Sequence, residues 1–495
     1  MLNNLAPEQL TPAQRWMILF SSSLGGFFVT FMTSGINVGL PDIGLRFNLS
    51  GVYLNWISLS MVLISAAVLL PIGRLADAYG RMRFFIGGMV VFSAASFACA
   101  LAPSAGVLLA FRMLTGISLA IGSVTAPALV ILAYPVEKRG QALGWNVLGV
   151  YLGITVGPLL GGLIFRNLDW RAFFYIVGAV NLVNIILPLW KLRHLEWKES
   201  AKGRFDLAGS GLYAVGLVCA LLGLSLLPGL RGVVFLVVGV VGVAGFLWWE
   251  TRASDPLLPV RLLKRNRVFG ASNAAVLVNY GATAAMSLVL SYYLIVNRGL
   301  TEDIAGLVIA AGSFVQAVVS PFAGRLSDRV AARYVASAGM ALTVLGLFAL
   351  IFLGPATPYW YVVMALCVTG VGFGFFSAPI THVVMGSVDR SQVGMASATM
   401  SALRQAGMNM SVGVATMLIA LYVAPLHLDV TPANYPALRD PFLSTVRVGF
   451  IIFTALCAVG IVASLVGPRK GSAPGAGPEG APAVAPGEPG ARLPE

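Results

Sequence analysis

The chain is poor in charge. Only 10% of its 495 residues are Asp, Glu, Lys or Arg, where a soluble globular chain carries about 25%. So few charges cannot cover a water-facing surface, which excludes an ordinary soluble domain. Acids are the scarcer sign, 19 against 32 basic residues, and there are three histidines. The four cysteines, Cys99, Cys219, Cys367 and Cys457, each stand inside an apolar run and none shares a loop with another. Neither a disulfide framework nor a metal site is expected from them, and small apolar packing residues is the simpler reading. The sequence has no HExxH, no phosphate loop ending in GK[ST] and no nucleophile–base pair, which argues against an enzyme and an ATP-driven pump. No cofactor is expected.

What is there is apolar: 58% of the residues, with a mean hydropathy of +0.86. Apolar runs long enough to cross a hydrocarbon core of about 30 Å recur along the chain. Helices satisfy their backbone polar groups within each run. The fold class expected is therefore an all-α polytopic membrane protein. Fourteen spans are predicted, at 16–41, 53–72, 84–102, 106–134, 142–165, 172–190, 207–227, 232–249, 268–296, 304–323, 335–354, 359–385, 394–424 and 443–466. The first reads as an uncleaved span after a short segment, 1–15, because its apolar run is too long for a signal-peptide core. The stretch 467–495, rich in Gly, Pro and Ala, is expected to be a disordered tail.

The net charge of +13 does not point to nucleic acid, because the basic residues lie in short loops between spans. They concentrate on one side. Arg74, Arg81, Arg83, Lys138, Arg139, Lys191, Arg193, Lys198, Lys202, Arg204, Arg252, Arg261, Lys264, Arg265, Arg267, Arg325, Arg329, Arg333, Arg390, Arg469 and Lys470 share the side of the N-terminus, against Arg46, Arg166, Arg171, Arg231, Arg298, Arg439 and Arg447 on the other. Such a bias marks the cytoplasmic side, so both termini are expected there, in a cytoplasmic membrane.

An internal repeat sets the architecture. GRLADAYGRMR (73–83) follows the second span and GRLSDRVAAR (324–333) the tenth. The offset is eight spans, which places an inserted pair between two six-span halves; repeated halves mark secondary transporters. The expected division is 16–190 for the first bundle, 191–206 for a linker, 207–249 for the inserted pair, 250–267 for a second linker and 268–466 for the second bundle.

These loops resemble the cytoplasmic signature of the major facilitator superfamily, with Gly73, Asp77, Gly80, Arg81 and Arg83 matching in the first copy and Gly324, Asp328, Arg329 and Arg333 in the second. Ala78 and Ala331 depart from it. LLAFRMLTG (108–116), with Arg112, is similar to the family's arginine motif of span four. GITVGPLLGG (153–162) resembles the export-associated motif of span five through Gly153, Gly157, Pro158, Gly161 and Gly162. RFDLAGSGL (204–212) and FLWWETRASDPLLPVRLLKRNRVF (246–269) are similar to segments flanking the inserted pair of the fourteen-span drug:proton antiporter family. The resemblance implies export of drugs or other amphipathic compounds, driven by protons, by alternating access. At the aspartate loops it implies gating, with charges that lock one conformation.

One departure bears on mechanism. In FMTSGINVGLP the residues Asn37, Leu40 and Pro41 match that family's first-span pattern, but Met32 stands where an aspartate is usual. None of the 19 acids falls in mid-span. Arg112 and Arg404 do, and an intramembrane charge is a functional candidate by default. The expected substrate cavity is lined by Thr33, Ser34, Asn37, Arg112, Asn279, Tyr280, Tyr292, Gln316, Arg404, Gln405 and Asn409. Two arginines without a carboxylate suit an anionic, zwitterionic or neutral molecule better than a lipophilic cation. Asp42 and His382 are left as possible proton sites. The expected partners are the lipid bilayer, a small amphipathic substrate and protons, for a monomer. The competing readings are a carrier of one anionic metabolite or lipid, uncoupled or not, and a transporter-like sensor without flux.

Overall fold

The computed structural model describes residues 2–3, 7–49, 51–197, 205–226, 229–253, 255–389, 392–423 and 435–466. The expected tail lies outside them, as do Lys198, Lys202, Arg204 and Arg390. Apart from a two-residue parallel pairing of Leu2–Asn3 with Leu195–Glu196, the described chain is helical.

The first half holds α1 (Pro12–Phe47), α2 (Gly51–Tyr79), α3 (Arg81–Ala100), α4 (Ala105–Ala133), α5 (Arg139–Asn167) and α6 (Trp170–Leu187). Their starts are written locally. Thr11 and Gln14 form a capping box before α1, Pro12 taking the position that needs no N–H; Ser104 and Asp169 cap α4 and α6. Then come α7 (Leu207–Ser225) and α8 (Leu230–Glu250), packed on each other, and the short α9 (Val260–Arg265). The second half holds α10 (Arg267–Thr283), α11 (Met286–Tyr292), α12 (Glu302–Arg329), α13 (Ala332–Ile351), α14 (Tyr359–Gly386), α15 (Val393–Tyr422) and α16 (Tyr435–Leu465). The predicted span 268–296 is broken: α10 and α11 are separate, followed by a π turn over Tyr293–Asn297, and the Ala285 N–H at the break donates to Ser411 Oγ of α15 at 3.0 Å.

Among the described residues, twelve helical stretches are long and apolar enough to cross a membrane. Of the fourteen expected spans, the seventh and the thirteenth are not among them. The apolar stretch of α7 runs only over Leu207–Gly223. α15 has the length but carries Arg404, Gln405, Asn409 and many Ser, Thr and Gly, which dilute its hydropathy. A second difference concerns helix ends. α2 and α12 run on past the apolar spans, so Asp77 and Asp328 sit in their final turns rather than in loops.

Packing follows the repeat. Within the first half α1 lies on α5, α2 on α4, and α3 on α4 and α6; within the second, α13 lies on α14, α10 on α15, and α16 on both α13 and α10. Between halves, α5 packs on α12 and α2 on α15. By the eight-span offset α12 repeats α2 and α15 repeats α5, so exchanging the halves maps one contact onto the other. The hairpin α7–α8 stays at the flank. α7 touches α2 and α15, and Tyr213 donates its hydroxyl to the Ala66 carbonyl at 2.9 Å, while most of α8 is exposed.

Candidate functional site

Two sites lie on the surface where the halves meet. The first is built from the final turns of α2 and α12. Asp328, on α12, accepts the Gly140 N–H through Oδ1 at 2.7 Å and the Gln141 N–H through Oδ2 at 2.8 Å, gripping the first turn of α5 in the other half. His382 Nδ1, on α14, stands 3.9 Å from Asp328 Oδ1. Asp77, on α2, lies against Gly394 in the first turn of α15, again in the other half, and accepts from Arg81 Nε at 2.7 Å with both side chains buried. A helix N-terminus has unpaired N–H groups and the positive end of its dipole, so a carboxylate is favoured there. Asp328 thus holds a helix end of the other half by two hydrogen bonds, and Asp77 occupies the matching place against the first turn of α15. Glycine makes the approach possible: a side chain at Gly140 would strike the Gly324 carbonyl and Ser327, and one at Gly394 would strike Asp77.

A residue the sequence reading left as an ordinary loop acid completes the first copy. Glu196, in the segment after α6, is buried and accepts the Met82 and Trp197 N–H groups at 3.0 and 3.1 Å. Arg83 Nε lies 3.6 Å from its other oxygen. Glu196 therefore supplies the cap that Gly80 lacks at the start of α3, and Gly80 adopts φ +116°, with the carboxylate where a side chain would be. Burial pushes the Glu196 carboxyl above its usual range, against the pull of those N–H groups and Arg83. The one sequence signal was its position as an acid among bases, in KLRHLEWK. Arg329 of the second copy is exposed and Arg333 half-buried; Arg333 stacks on Tyr334 with its guanidinium 4.6 Å from the ring centre.

The second site is a cavity of about 60 Å³ at the centre of the molecule, lined by both halves: α4 gives Pro127, α5 gives Asn146 and Tyr151, α10 gives Tyr280, α14 gives Ser377 and Thr381, and α15 gives Met400 and Arg404. The Arg404 guanidinium lies 5.9 Å from the Tyr280 ring centre. Phe373 meets Tyr280 and Tyr151 edge to face, at 5.0 and 6.1 Å between ring centres. The Tyr151 hydroxyl neighbours Tyr280, Arg404 and Gln316. No carboxylate lines the cavity. A larger hollow of about 450 Å³ lies between α7 and α8, but Leu, Val and Gly line it throughout.

Of the eleven residues expected to line a cavity, the structure brings Tyr280 and Arg404 together there, with Gln316 beside Tyr151. It does not bring the others to it. Thr33 donates to the Val29 carbonyl and Ser34 to those of Thr30 and Gly153, because a hydroxyl on a helix can satisfy itself on its own preceding turn. Asn37 accepts from Ser58 of α2 at 2.7 Å. Asn279 points to Cys457 of α16, Tyr292 stacks on Phe442, and Gln405 donates to Asn409 one turn on at 3.2 Å. Arg112 is fully buried inside the first half. Its Nε donates to the Ile57 carbonyl at 3.1 Å, and its two terminal nitrogens have no hydrogen-bond partner among the described residues. Met32 is wholly buried against Ser96 of α3, and Asp42 is exposed at the far end of α1. The glycine motif of α5 seats α1: Gly153, Gly157 and Gly161 all face its backbone, Gly162 lies near Val38, and Pro158 is exposed. Tyr151, Asn146 and the hydroxyls of α14 were missed, since nothing in their spacing tells a cavity face from a packed one.

Comparison with known proteins agrees with this architecture. The profile of the Major Facilitator Superfamily matches residues 22–270 and 273–489. The chain is 32% identical over 446 residues to multidrug resistance protein Stp of Mycobacterium tuberculosis, covering 89% of this chain and 82% of that one. It is 27% identical over 431 residues to the methylenomycin A resistance protein of Bacillus subtilis, covering 85% and 91%. It is 24% identical over 461 residues to the riboflavin transporter RibZ of Clostridioides difficile, covering 92% and 98%. Among solved structures, the human organic anion transporter MFSD10 superposes with a TM-score of 0.63 at 14% identity, over 92% of this chain and all of that one, a likeness of fold alone.

Proposed function

Because this chain belongs to the Major Facilitator Superfamily, we propose that it is a secondary transporter that exports small amphipathic compounds across a bacterial cytoplasmic membrane by alternating access. The observation that carries the reading is the hydrogen-bonded grip of Asp328 on α5, with Asp77 placed against α15 at the matching position of the other half. Two charges set against helix ends of the opposite half, one of them hydrogen-bonded there, suit a device with two states, held and released. The resistance and transport named for its relatives support export of amphipathic compounds. The proposal has fourteen crossings, α7 and α15 included, with α15 packed among α10, α2, α4 and α16. In this proposal the aspartate side, where the basic loops gather, faces the cytoplasm. Since both halves come from one chain, a monomer suffices.

Coupling to protons is part of the proposal, although Met32 replaces the usual first-span acid. His382 and Asp328 stand together at the grip on α5, and a proton on that pair would weaken the hold of Asp328 on the Gly140 and Gln141 N–H groups. Export of a fluorescent dye from cells stripped of their own pumps tests the reading. Expression should lower dye retention, and a protonophore or the double change Asp77→Asn/Asp328→Asn should restore it. Equal retention with the wild type and the double variant would refute it.

A further inference from the structure

We infer that the central cavity takes aromatic monoanions: a flat ring system bearing one carboxylate or sulfonate, the acid group on Arg404 and the ring against Tyr280 and Phe373. The inference rests on the transporter reading above and names the substrate class of the same cavity.

Charge comes first. Arg404 is the one charged side chain among the cavity's lining residues, and a guanidinium stays protonated in a protein. Arg112 lies elsewhere, inside the first half, so the cavity offers one positive charge. A lipophilic cation would meet that charge with no carboxylate to offset it. Donor supply comes second. Asn146, only 6% exposed, is one of the lining residues, and its side-chain Nδ2 has no hydrogen-bond partner among the described residues. A buried donor without a partner calls for an acceptor, and a carboxylate or sulfonate presents several. Arg404 fits such a planar acid group in a forked geometry. Shape comes third. Tyr280, Phe373 and Tyr151 form an aromatic cluster beside the guanidinium, which a ligand ring can join by stacking or edge contact. Size comes last. At about 60 Å³ the cavity is well below the roughly 300–1,000 Å³ of drug-sized sites, so in this conformation it has room for the acid group, and the ring enters only as the halves part.

Three probes of one shape separate charge from size: naphthalene-2-sulfonate, 2-naphthylmethanol and 2-naphthylmethylammonium. Binding to the full-length protein in nanodiscs is read by equilibrium dialysis, and flux in proteoliposomes. The sulfonate should bind tightest. Arg404→Gln should weaken it about tenfold or more, the size of one charge-assisted contact, and leave the alcohol unchanged. Arg404→Lys should keep part of the affinity, and Arg231→Gln, at the exposed start of α8, all of it. Should Arg404→Gln fail to fold, Asn146→Ala reads the same selectivity and should weaken the sulfonate alone. Tighter binding of the ammonium probe, or sulfonate affinity indifferent to the Arg404 and Asn146 variants, overturns the inference. Flux of probes that ignores Arg404 leaves the transporter reading standing and removes this one. Arg404-dependent sulfonate binding with no flux of any probe does the reverse.

Discussion

At Asp77 one carboxylate accepts from the Arg81 guanidinium and lies against the first turn of α15. Asparagine there keeps the size and removes the charge, so Asp77→Asn should shift the balance between held and released states by about 1–3 kcal/mol, the usual range for coupling between sites. Labelling of a single cysteine placed on the cavity-facing side of α15 should change its rate in that variant; an unchanged rate together with full transport would count against the lock. Glu196 carries a pH signature. Its folded-state carboxyl is raised by burial, so its contribution favours the fold below the ordinary carboxylate range and is lost as pH rises through the raised value. Glu196→Gln should remove that part of the pH dependence. Thermal melts across the acid range should show a shallower decline with rising pH in the variant, and identical profiles would mean that Glu196 does not titrate there. That Thr33 and Ser34 bond carbonyls while Arg404 lines the cavity is a matter of residue chemistry. A hydroxyl on a helix has a carbonyl one turn back to bond, so its outward neighbour is not legible in the sequence; a mid-helix guanidinium has no such outlet and announces a special environment wherever it stands.

Helix–helix approach sets the behaviour of whole elements. α5 touches α1 through Gly153, Gly157 and Gly161, and α12 through Gly140 and Gly144. The first set holds one half together; the second belongs to the contact between halves. Gly140→Val should therefore push α5 and α12 apart at the aspartate end while leaving the α1–α5 seam intact. Spin labels on those two helices should report a longer distance in the variant, with the melting temperature of the first half little changed; an unaltered distance would show that the close approach is not what keeps this end shut. The inserted hairpin is anchored through the Tyr213 hydroxyl of α7 on Ala66 and, beyond α8, by the Arg74–Asp255 pair at 3.4 Å. Tyr213→Phe removes one buried hydrogen bond and should lower stability by about 0.5–1.5 kcal/mol, read as a small fall in melting temperature; a fall as large as that of a core truncation would mean that the hairpin does more than flank. The elements legible in the sequence were those with long apolar runs, and the repeat of Asp77 and Asp328 gave the pairing of halves. α15 and the break after α10 were less legible, because α15 is stabilised by neighbours that hide its polar face and the break by a serine from another helix.

For the whole molecule, the contacts across the halves gather on the aspartate side. Gly73 meets Ala398, Gly144 meets Ser320, Ser397 bonds to the Val124 carbonyl, and Asp328 holds α5. From Ala396 to Ala402 the residues of α15 are all buried, whereas Met408, Met410, Val412, Met417 and Leu421 further along it are exposed. The halves are thus packed shut at the aspartate end, as one of the two states of the proposed alternating access would be. A transporter built this way must lose flux when both grips are weakened together, even though neither aspartate lines the central cavity. The most direct test is flux by the purified protein in proteoliposomes under an imposed pH gradient, comparing the wild type with Asp77→Asn/Asp328→Asn at matched incorporation. The account expects gradient-dependent movement of at least one naphthalene probe by the wild type and a loss of most of it in the double variant. Wild-type flux no greater than the leak of empty liposomes, or flux in the double variant equal to that of the wild type, would contradict it.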